Sequence, residues 1–343
     1  MRRLKLLFAC FFLVAATIGN TQNAFRVAFY NVENLFDTID DPNTLDEDFT
    51  PQGKQNWTEE RYQTKLDRMT QVFEGMGWPA WIGLAEIEND RVLTDLTGKM
   101  GAKGPEYRFA HFESPDLRGI DVALLYQPGV FTVTSSSFIR MDFPDDAEPD
   151  YTSRDILQVD GLLQNGDTLH FFVNHWPSRR DGEEASEGRR IRAASFLKGA
   201  VEKLQAANPH AKIVIMGDFN DEPINKSIAQ ALQAGPLEGK PENGNLYNCF
   251  AKAKKDGLGS YCYRGNWNML DQIITSCELV CNTGSLIAAN PTIFKQDWML
   301  YKDSRNEMLP NRTYGGTRYY GGYSDHLPVY IDLVPTAWGI RGR

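Results

Sequence analysis

Residues 212–223 read KIVIMGDFNDEP, an apolar segment that runs directly into a cluster of polar side chains. The first half has the length and composition of a buried β-strand. Asp218, Asn220 and Asp221 follow at its end. Two interpretations are open: a turn that caps a helix over PINKSIAQAL (223–232), or a site that holds a metal ion and a water molecule. Since ligand sites in sheet proteins collect at strand ends, other strands with polar ends would favour the second.

Further strand-like segments surround this stretch, and several end in a polar residue. They are FRVAFYN (25–31), WIGLAE (81–86), DVALLY (121–126), TLHFFVNH (168–175), MLDQIITS (269–276) and HLPVYIDL (326–333). Helical periodicity begins at Thr58 and again over residues 185–206. The mixture predicts an α/β (α+β) protein with two packed mixed β-sheets flanked by helices. Residues 142–154 and 309–325 are predicted to be loops.

The totals describe a folded protein of 343 residues, 42% hydrophobic and 24% charged. We expect a single domain over residues 25–335, followed by a short tail over 336–343. The net charge of −9 gives the molecule no general attraction for polyanions. A phosphate-bearing substrate would therefore need local help from bound cations or arginines.

The N-terminus has the pattern of a signal peptide, with Arg2, Arg3 and Lys5 before the apolar run LLFACFFLVAATIG. We predict that residues 1–24 are a leader and that the chain is exported, either periplasmic or secreted. No stable membrane insertion is expected, and the mature chain is expected to be a monomer. Its cysteines, Cys249, Cys262, Cys277 and Cys281, permit two disulfides in three pairings, which stay open.

The strand-end residues form a set of carboxylates, amides and imidazoles: Asn31, Glu86, His175, Asp218, Asn220, Asp325 and His326. Each residue alone also suits an ordinary turn, cap or packed histidine. Asp271 is harder to explain in that way, because an acid among apolar neighbours is costly unless it is paired. A histidine is the partner that we expect for it.

Several catalytic and metal-binding motifs are absent from the sequence. There is no HExxH or CxxC pair, GYSDH lacks the final glycine of GxSxG, and Pro223 stands where a calcium loop needs glycine. The remaining oxygen-rich set suits Mg²⁺, with Mn²⁺ or Ca²⁺ as alternatives. A histidine, whose ordinary pKa is about 6.5, adds acid or base chemistry at neutral pH. Together these groups predict metal-dependent hydrolysis of phosphate esters.

In this order the motifs resemble those of the endonuclease/exonuclease/phosphatase superfamily, most closely its secreted or periplasmic bacterial members. The motifs are NVENLFD (31–37), GLAEIEN (83–89), NHWPSR (174–179), GDFND (217–221) and YSDHLPV (323–329). The resemblance spans residues 25–335. It implies a four-layered α/β sandwich and a divalent metal, usually magnesium.

The resemblance also implies a role for each matching residue. Glu86 would be the principal metal ligand, with Asn31 and Asp325. The catalytic set would be Asp218 on the attacking water, Asn220 positioning the phosphate, His326 oriented by Asp271, and His175 near a phosphate oxygen or the leaving group. Arg118 and Arg179 are further candidates for substrate phosphate contacts.

Three functions stay open from the sequence. The first is a nuclease-like phosphodiesterase whose partner is DNA or RNA. The second is a phosphoesterase acting on a phospholipid, sphingomyelin, inositol phosphate or sugar phosphate, which the acidic charge favours. The third, more remote, is a binding protein that keeps the site without turnover.

Overall fold

The computed structural model describes residues 24–144, 146–148, 151–180, 182–281 and 284–336. The predicted leader lies outside these residues except for Ala24, and the predicted tail lies outside them except for Thr336. Within the described ranges, none of the helices is both long and apolar enough to cross a membrane. The same ranges contain one disulfide, Cys277–Cys281, and two free cysteines, Cys249 and Cys262.

Helices lie between some of the strands along the chain, as the sequence predicts. The strands are β1 (Phe25–Leu35), β2 (Trp81–Ile87), β3 (Arg108–His111), β4 (Asp121–Tyr126), β5 (Phe131–Ile139), β6 (Ile156–Leu163), β7 (Thr168–His175), β8 (Lys212–Asp218), β9 (Ala234–Pro236), β10 (Leu246–Asn248), β11 (Tyr261–Tyr263), β12 (Asn266–Asn268), β13 (Asp271–Ser276), β14 (Leu286–Ile293), β15 (Leu300–Lys302), β16 (Met308–Pro310), β17 (Tyr314–Gly315), β18 (Arg318–Tyr319) and β19 (Val329–Pro335). The α-helices are α1 (Glu59–Gly75), α2 (Asp90–Gly101), α3 (Glu183–Ala207) and α4 (Ala251–Lys255), and Ser227–Leu232 is π-helical.

Two mixed sheets form the centre of the molecule and confirm the predicted fold class. One has six strands in the order β14-β19-β1-β2-β4-β3, and the other has seven in the order β5-β6-β7-β8-β13-β10-β9. Each contains a central parallel pair, β1 with β2 and β7 with β8, beside antiparallel neighbours. Because the paired strands run in the same direction, their carboxyl ends lie at the same edge of each sheet.

The core is arranged in layers between and outside the sheets. Phe29, Trp81 and Phe171 belong to the cluster that fills the space between the sheets. A second cluster packs α1 and α2 against the first sheet, and a third packs α3 against the second. Strand β8 contributes to two of these clusters, with Val214 and Met216 in one and Ile213 and Ile215 in another. Burial on both faces explains why KIVIMG is continuously apolar.

Two details of the local structure test the predictions from the sequence. Helix α1 begins after Thr58, whose side chain accepts a hydrogen bond from the Arg61 amide, so the predicted start is confirmed. The prediction that residues 309–325 are only a loop is wrong, since they include the hairpin of β17 and β18. The turn between these strands places Gly316 at φ 63°, and the rings of Tyr314 and Tyr319 pack 5.3 Å apart beside it.

Candidate active site

The carboxyl ends of β1 and β2 bring Asn31 and Glu86 to one edge of the first sheet. Asn31 is paired with Ala85 in the parallel register, so Glu86 follows directly beside it. The Asn31 Nδ2 donates to Glu86 Oε1 at 3.2 Å and to Asp218 Oδ2 at 3.1 Å, which joins the two sheets. Glu86 has φ 63°, a backbone conformation that is uncommon away from glycine and that is found at functional sites.

The second sheet brings three further side chains to the same place. Asp218 is the register partner of His175 on β7 and of Asp271 on β13. Strand β8 lies between β7 and β13, so Asp218 at its end has a neighbour on each side. This position explains why the apolar strand in KIVIMGDFNDEP ends in an acidic residue. All three side chains are buried. Groups separated by tens of residues therefore stand side by side through strand pairing alone.

His326 completes the cluster and is held by Asp271. The His326 Nδ1 lies 2.7 Å from Asp271 Oδ2, and its Nε2 lies 3.8 Å from Asp218 Oδ2. Burial opposes a charge on this imidazole, but the carboxylates of Asp271 and Asp218 outweigh it and raise the pKa of His326 well above its ordinary value. The ring of Tyr261 stacks on the imidazole with the ring centroids 4.7 Å apart. His326 is thus an oriented imidazole whose charged form is favoured by its neighbours.

His175 has the opposite electrostatic environment. Its Nε2 lies 3.7 Å from Asp218 Oδ2 and 3.9 Å from Glu86 Oε1. Burial lowers the pKa of His175 well below its ordinary value, and the positive charges of Arg154 and Arg118 lower it further. Burial and the arginines thus favour the neutral form of His175, whereas the carboxylates favour the charged form of His326, so the two imidazoles are suited to different tasks.

Asn220 and Arg179 belong to the turn that follows β8. The Asn220 amide nitrogen of the backbone donates to Asp218 Oδ1 at 2.9 Å, and its side chain donates to the Trp176 carbonyl at 3.0 Å. Arg179 donates to the Asn220 carbonyl at 2.5 Å and pairs with Asp221 at 3.0 Å. Its guanidinium therefore braces this turn. A substrate contact by Arg179 stays a prediction.

Two arginines, Arg118 and Arg154, lie near the site and share one carboxylate. The carboxylate of Asp116 pairs with Arg118 at 3.3 Å and with Arg154 at 3.0 Å. Arg154 also donates to the Trp176 carbonyl at 2.6 Å, and it is buried. Nothing in the sequence distinguishes Arg154, because it belongs to a predicted loop and reaches the site only through the tertiary fold.

Asp325 stands at the edge of the cluster and pairs with Arg312, whose Nη2 lies 3.0 Å from Asp325 Oδ2. Burial raises the pKa of Glu33, and the negative charge of Asp325 raises it further, so Asp325 lies close enough to the end of β1 to affect its charge. Two groups of three carboxylate or imidazole side chains in the described residues bring one ligand atom of each within 4.8 Å of the others. They are Asp218, Asp271 and His326, and His111, Glu113 and Asp121. Neither group contains the predicted ligands Glu86 and Asp325.

The donor set fits a hard divalent cation, although Asn31 is turned differently from the prediction. Glu86, Asp218 and Asp325 supply carboxylate oxygens, the ligands that such cations prefer. Asn31 turns its amide nitrogen to Glu86 and Asp218, while its oxygen accepts from the Glu33 amide at 3.0 Å. In this arrangement Asn31 positions the two carboxylates. Direct ligation by Asn31 stays a prediction.

A family model described as the endonuclease/exonuclease/phosphatase family matches residues 26–334. The chain belongs to that family. It is accordingly an enzyme that hydrolyses phosphate esters, and the family is dependent on a divalent metal. The remote alternative of a protein that only binds phosphate esters is therefore wrong, and each acid and histidine of the predicted site is present here.

Solved structures with a similar fold come from human, D. rerio and Bacteroides thetaiotaomicron proteins. The human Nocturnin catalytic domain is 14% identical with a TM-score of 0.54, over 91% of this chain and 95% of that one. TDP2 of D. rerio, solved with a single-strand DNA product, is 14% identical with a TM-score of 0.54, over 90% and 98%. A mannosyl-6-phosphatase of Bacteroides thetaiotaomicron is 15% identical with a TM-score of 0.52, over 90% and 99%. Comparison with curated protein sequences gives no match.

Proposed function

We propose that this endonuclease/exonuclease/phosphatase family member is an exported, magnesium-dependent phosphodiesterase of the nuclease type. The observation that carries the proposal is the convergence of Asp218 with the Asp271–His326 pair, 3.8 Å from Asp218 Oδ2 to His326 Nε2, beside Glu86. A phosphodiester needs a base for water, a cation near the phosphoryl oxygens and stabilisation of the leaving oxygen. The residues of this cluster can supply or hold all three.

The chain's own residues divide these tasks by their charge. Asp218 is oriented by Asn31 and by the Asn220 amide, so it is placed to accept a proton from the attacking water. The charged imidazole of His326 stabilises negative charge on the phosphoryl oxygens, and Asp271 fixes its orientation. Neutral His175 offers a hydrogen bond without adding charge. Glu86 and Asp325 would hold Mg²⁺, which would supply Lewis-acid polarisation of the phosphoryl group.

A second candidate function is hydrolysis of a sugar phosphate or another small phosphate monoester. The net charge of −9 favours it, since a polynucleotide groove is usually basic. The likeness to the Bacteroides thetaiotaomicron mannosyl-6-phosphatase supports the same candidate at the level of fold. Both functions use the same cluster and differ in what binds beside it.

A substrate panel with added Mg²⁺ tests the proposal. The mature chain, from residue 25, would be assayed on plasmid DNA, single-stranded DNA, RNA, sphingomyelin, inositol phosphates and mannose 6-phosphate. We expect cleavage of nucleic acid phosphodiesters, with Glu86→Ala and His326→Ala each reducing the rate by orders of magnitude. Hydrolysis restricted to the monoesters would favour the second candidate. Wild-type rates in both variants would overturn the assignment of the site.

A further inference from the structure

A cavity of about 360 Å³ opens directly beside the catalytic cluster, and none of the catalytic roles above accounts for it. Asp325 lines it, so the cavity adjoins the residue that precedes His326 in the chain. The cavity is also lined by Tyr301, Tyr320, Asn311, Arg312 and Cys262. Its size is near the lower end of small-molecule sites, which span roughly 300–1,000 Å³. It has room for one ring system and its substituents.

Two tyrosines that are unusually exposed for aromatic residues form the walls of this cavity. Tyr301 is 41% exposed and Tyr320 is 50% exposed. The ring of Tyr320 lies against the backbone of Gly315, where an added Cβ would stand 2.6 Å from Tyr320 Cε2. The glycine therefore allows the ring to settle on the hairpin of β17 and β18. Exposed, positioned aromatic rings are suited to stacking on a planar ligand.

The polar edge of the cavity has an amide that the protein leaves free. The backbone of Asn311 is fixed, since its amide donates to the Met299 carbonyl at 2.8 Å and its carbonyl accepts from Tyr323. Its side-chain amide has no hydrogen-bond partner among the described residues. The side-chain N–H and C=O groups of Asn311 are thus available to a ligand. An amide uses the same donor and acceptor to bind the edge of a nucleobase.

The charges around the cavity argue against a sugar. Sugar hydroxyls are bound well by free carboxylates, and Asp325 is the acid among the lining residues named here. It is already paired with Arg312 at 3.0 Å and, in the proposed function, is also a ligand of the cation. The guanidinium of Arg312 instead adds a flat cation beside the tyrosines, which favours an aromatic ring.

We infer that this cavity binds a nucleobase attached to the phosphate that is hydrolysed, so that the substrates are nucleotide esters or the end of a single strand. The inference rests on the proposed function, because it uses the same cluster for the phosphate. The base stacks on Tyr320 and Tyr301, and Asn311 contacts its polar edge. A single-base subsite also reconciles nucleic acid chemistry with an acidic protein, because one nucleotide needs no long basic groove.

Calorimetric binding of adenosine 5′-monophosphate and ribose 5-phosphate, in Ca²⁺ and again in Mg²⁺, tests this inference. The two ligands share phosphate and ribose, so the difference in affinity reports on the base alone. We expect adenosine 5′-monophosphate to bind at least about 10-fold more tightly, since stacking of the base on an aromatic ring stabilises its complex. Tyr320→Ala should remove most of this difference, and Tyr320→Phe should keep it. Phe138→Ala, a change at a surface aromatic that is 43% exposed, should leave it unchanged.

The outcomes separate this inference from the proposed function. Equal affinity for both ligands, or no measurable binding of either, overturns the nucleobase subsite even if the substrate panel shows phosphodiester cleavage. Tighter binding of mannose 6-phosphate than of the nucleotide overturns it in favour of a sugar. A base-dependent difference that Tyr320→Ala removes supports the subsite even if the panel shows no cleavage of nucleic acid, in which case the proposed function fails alone.

Discussion

Asp271 illustrates how a single buried carboxylate determines the state of His326, a proposed catalytic group. It is fully buried, and one oxygen lies 2.7 Å from His326 Nδ1 while the other has no hydrogen-bond partner in the described structure. A carboxylate in this position is stable only with a charged partner. The pair therefore keeps the imidazole protonated and points its Nε2 toward Asp218.

The first prediction concerns this pair. Asp271→Asn should reduce kcat by about 10²–10⁴-fold with little change in KM, because the imidazole loses both its orientation and its charge. The matched control is Asp160→Asn, which removes the partner of His170 at the same 2.7 Å on the outer part of the second sheet. Steady-state kinetics on a diester should show wild-type values for the control. Equal losses in the two variants would contradict the assigned role.

Several residues of the candidate site were predictable from the sequence, because a charged residue among apolar sequence neighbours is costly to bury without a partner. Asp271 among apolar residues requires a partner wherever the strand lies, and GDFND is unusual at the end of a buried strand. Arg154, Tyr261 and Arg312 were not predictable in this way. Each is an ordinary residue in its own segment, and its position beside His175, His326 or Asp325 depends on contacts across the fold.

At the scale of elements, the segment 309–325 is held in place by two charged residues from the core. The Lys65 Nζ of α1 donates to Thr313 Oγ1 at 2.6 Å and to the Tyr323 carbonyl at 2.7 Å. Glu33, at the end of β1, accepts from the Thr313 amide at 2.6 Å. Burial raises the pKa of Glu33 to about 7 and lowers that of Lys65 to about 8, and each charge moderates the other's shift. Segment and core are thus joined electrostatically.

The second prediction tests this anchoring. Lys65→Met should destabilise the protein by about 3–5 kcal/mol, because it leaves Glu33 buried without a compensating charge. The double variant Glu33→Gln with Lys65→Met should lose less than the sum of the two single losses. Urea unfolding measures all three. Lys54→Met, which removes an exposed pair with Asp48, is the surface control and should leave stability unchanged. Strictly additive losses would show that the two charges are independent.

The elements themselves were largely predictable, since buried strands and amphipathic helices have distinct periods. The predicted DVALLY and TLHFFVNH have the same bounds as β4 and β7. The short strands of the segment 309–325 were not predictable, because its glycines and tyrosines are also typical of an irregular loop. Anchoring by Glu33 and Lys65, from distant parts of the chain, selects the hairpin.

At the scale of the whole molecule, the site is divided between the two sheets. Asn31, Glu86 and His326 come from the first sheet and its connections, and His175, Asp218 and Asp271 come from the second. The distances between these side chains therefore depend on how closely the two sheets pack. Gly83 on β2 is one of the points of closest approach, because a Cβ there would overlap the side chain of Met216 on β8.

The third prediction follows from this packing. Gly83→Ala should destabilise the protein by about 1–3 kcal/mol and lower kcat, because a core without spare space must separate locally to admit a methyl group. Gly98→Ala in α2 is the control, since nothing lies within 4 Å of the added Cβ. The Gly98→Ala variant should have the stability of the wild type or be more stable by about 0.5–1 kcal/mol. Thermal unfolding and steady-state rates of the two variants test this prediction. Wild-type stability and kcat in Gly83→Ala would contradict it.

The layered architecture was predictable from the mixture of elements, whereas the strand order was not. Periodicity identifies a strand without naming its neighbours, and β8 is paired with β13 from more than fifty positions further along the chain. That the strand-end residues lie close together was therefore only a hypothesis from the sequence. In the structure, Asp218 is the register partner of His175 and of Asp271, which brings these three residues together.

The central claim is that side chains from both sheets hold one divalent cation beside the Asp271–His326 pair and hydrolyse a phosphate ester there. Hydrolysis of bis(p-nitrophenyl) phosphate, measured while Mg²⁺ is titrated into chelator-treated protein, tests it most directly in wild type and Glu86→Gln. We predict that chelation abolishes turnover, that Mg²⁺ restores it, and that Glu86→Gln needs at least about 10-fold more Mg²⁺ for half-activation. Wild-type turnover in the presence of chelator, or an unchanged Mg²⁺ requirement in Glu86→Gln, would contradict the claim.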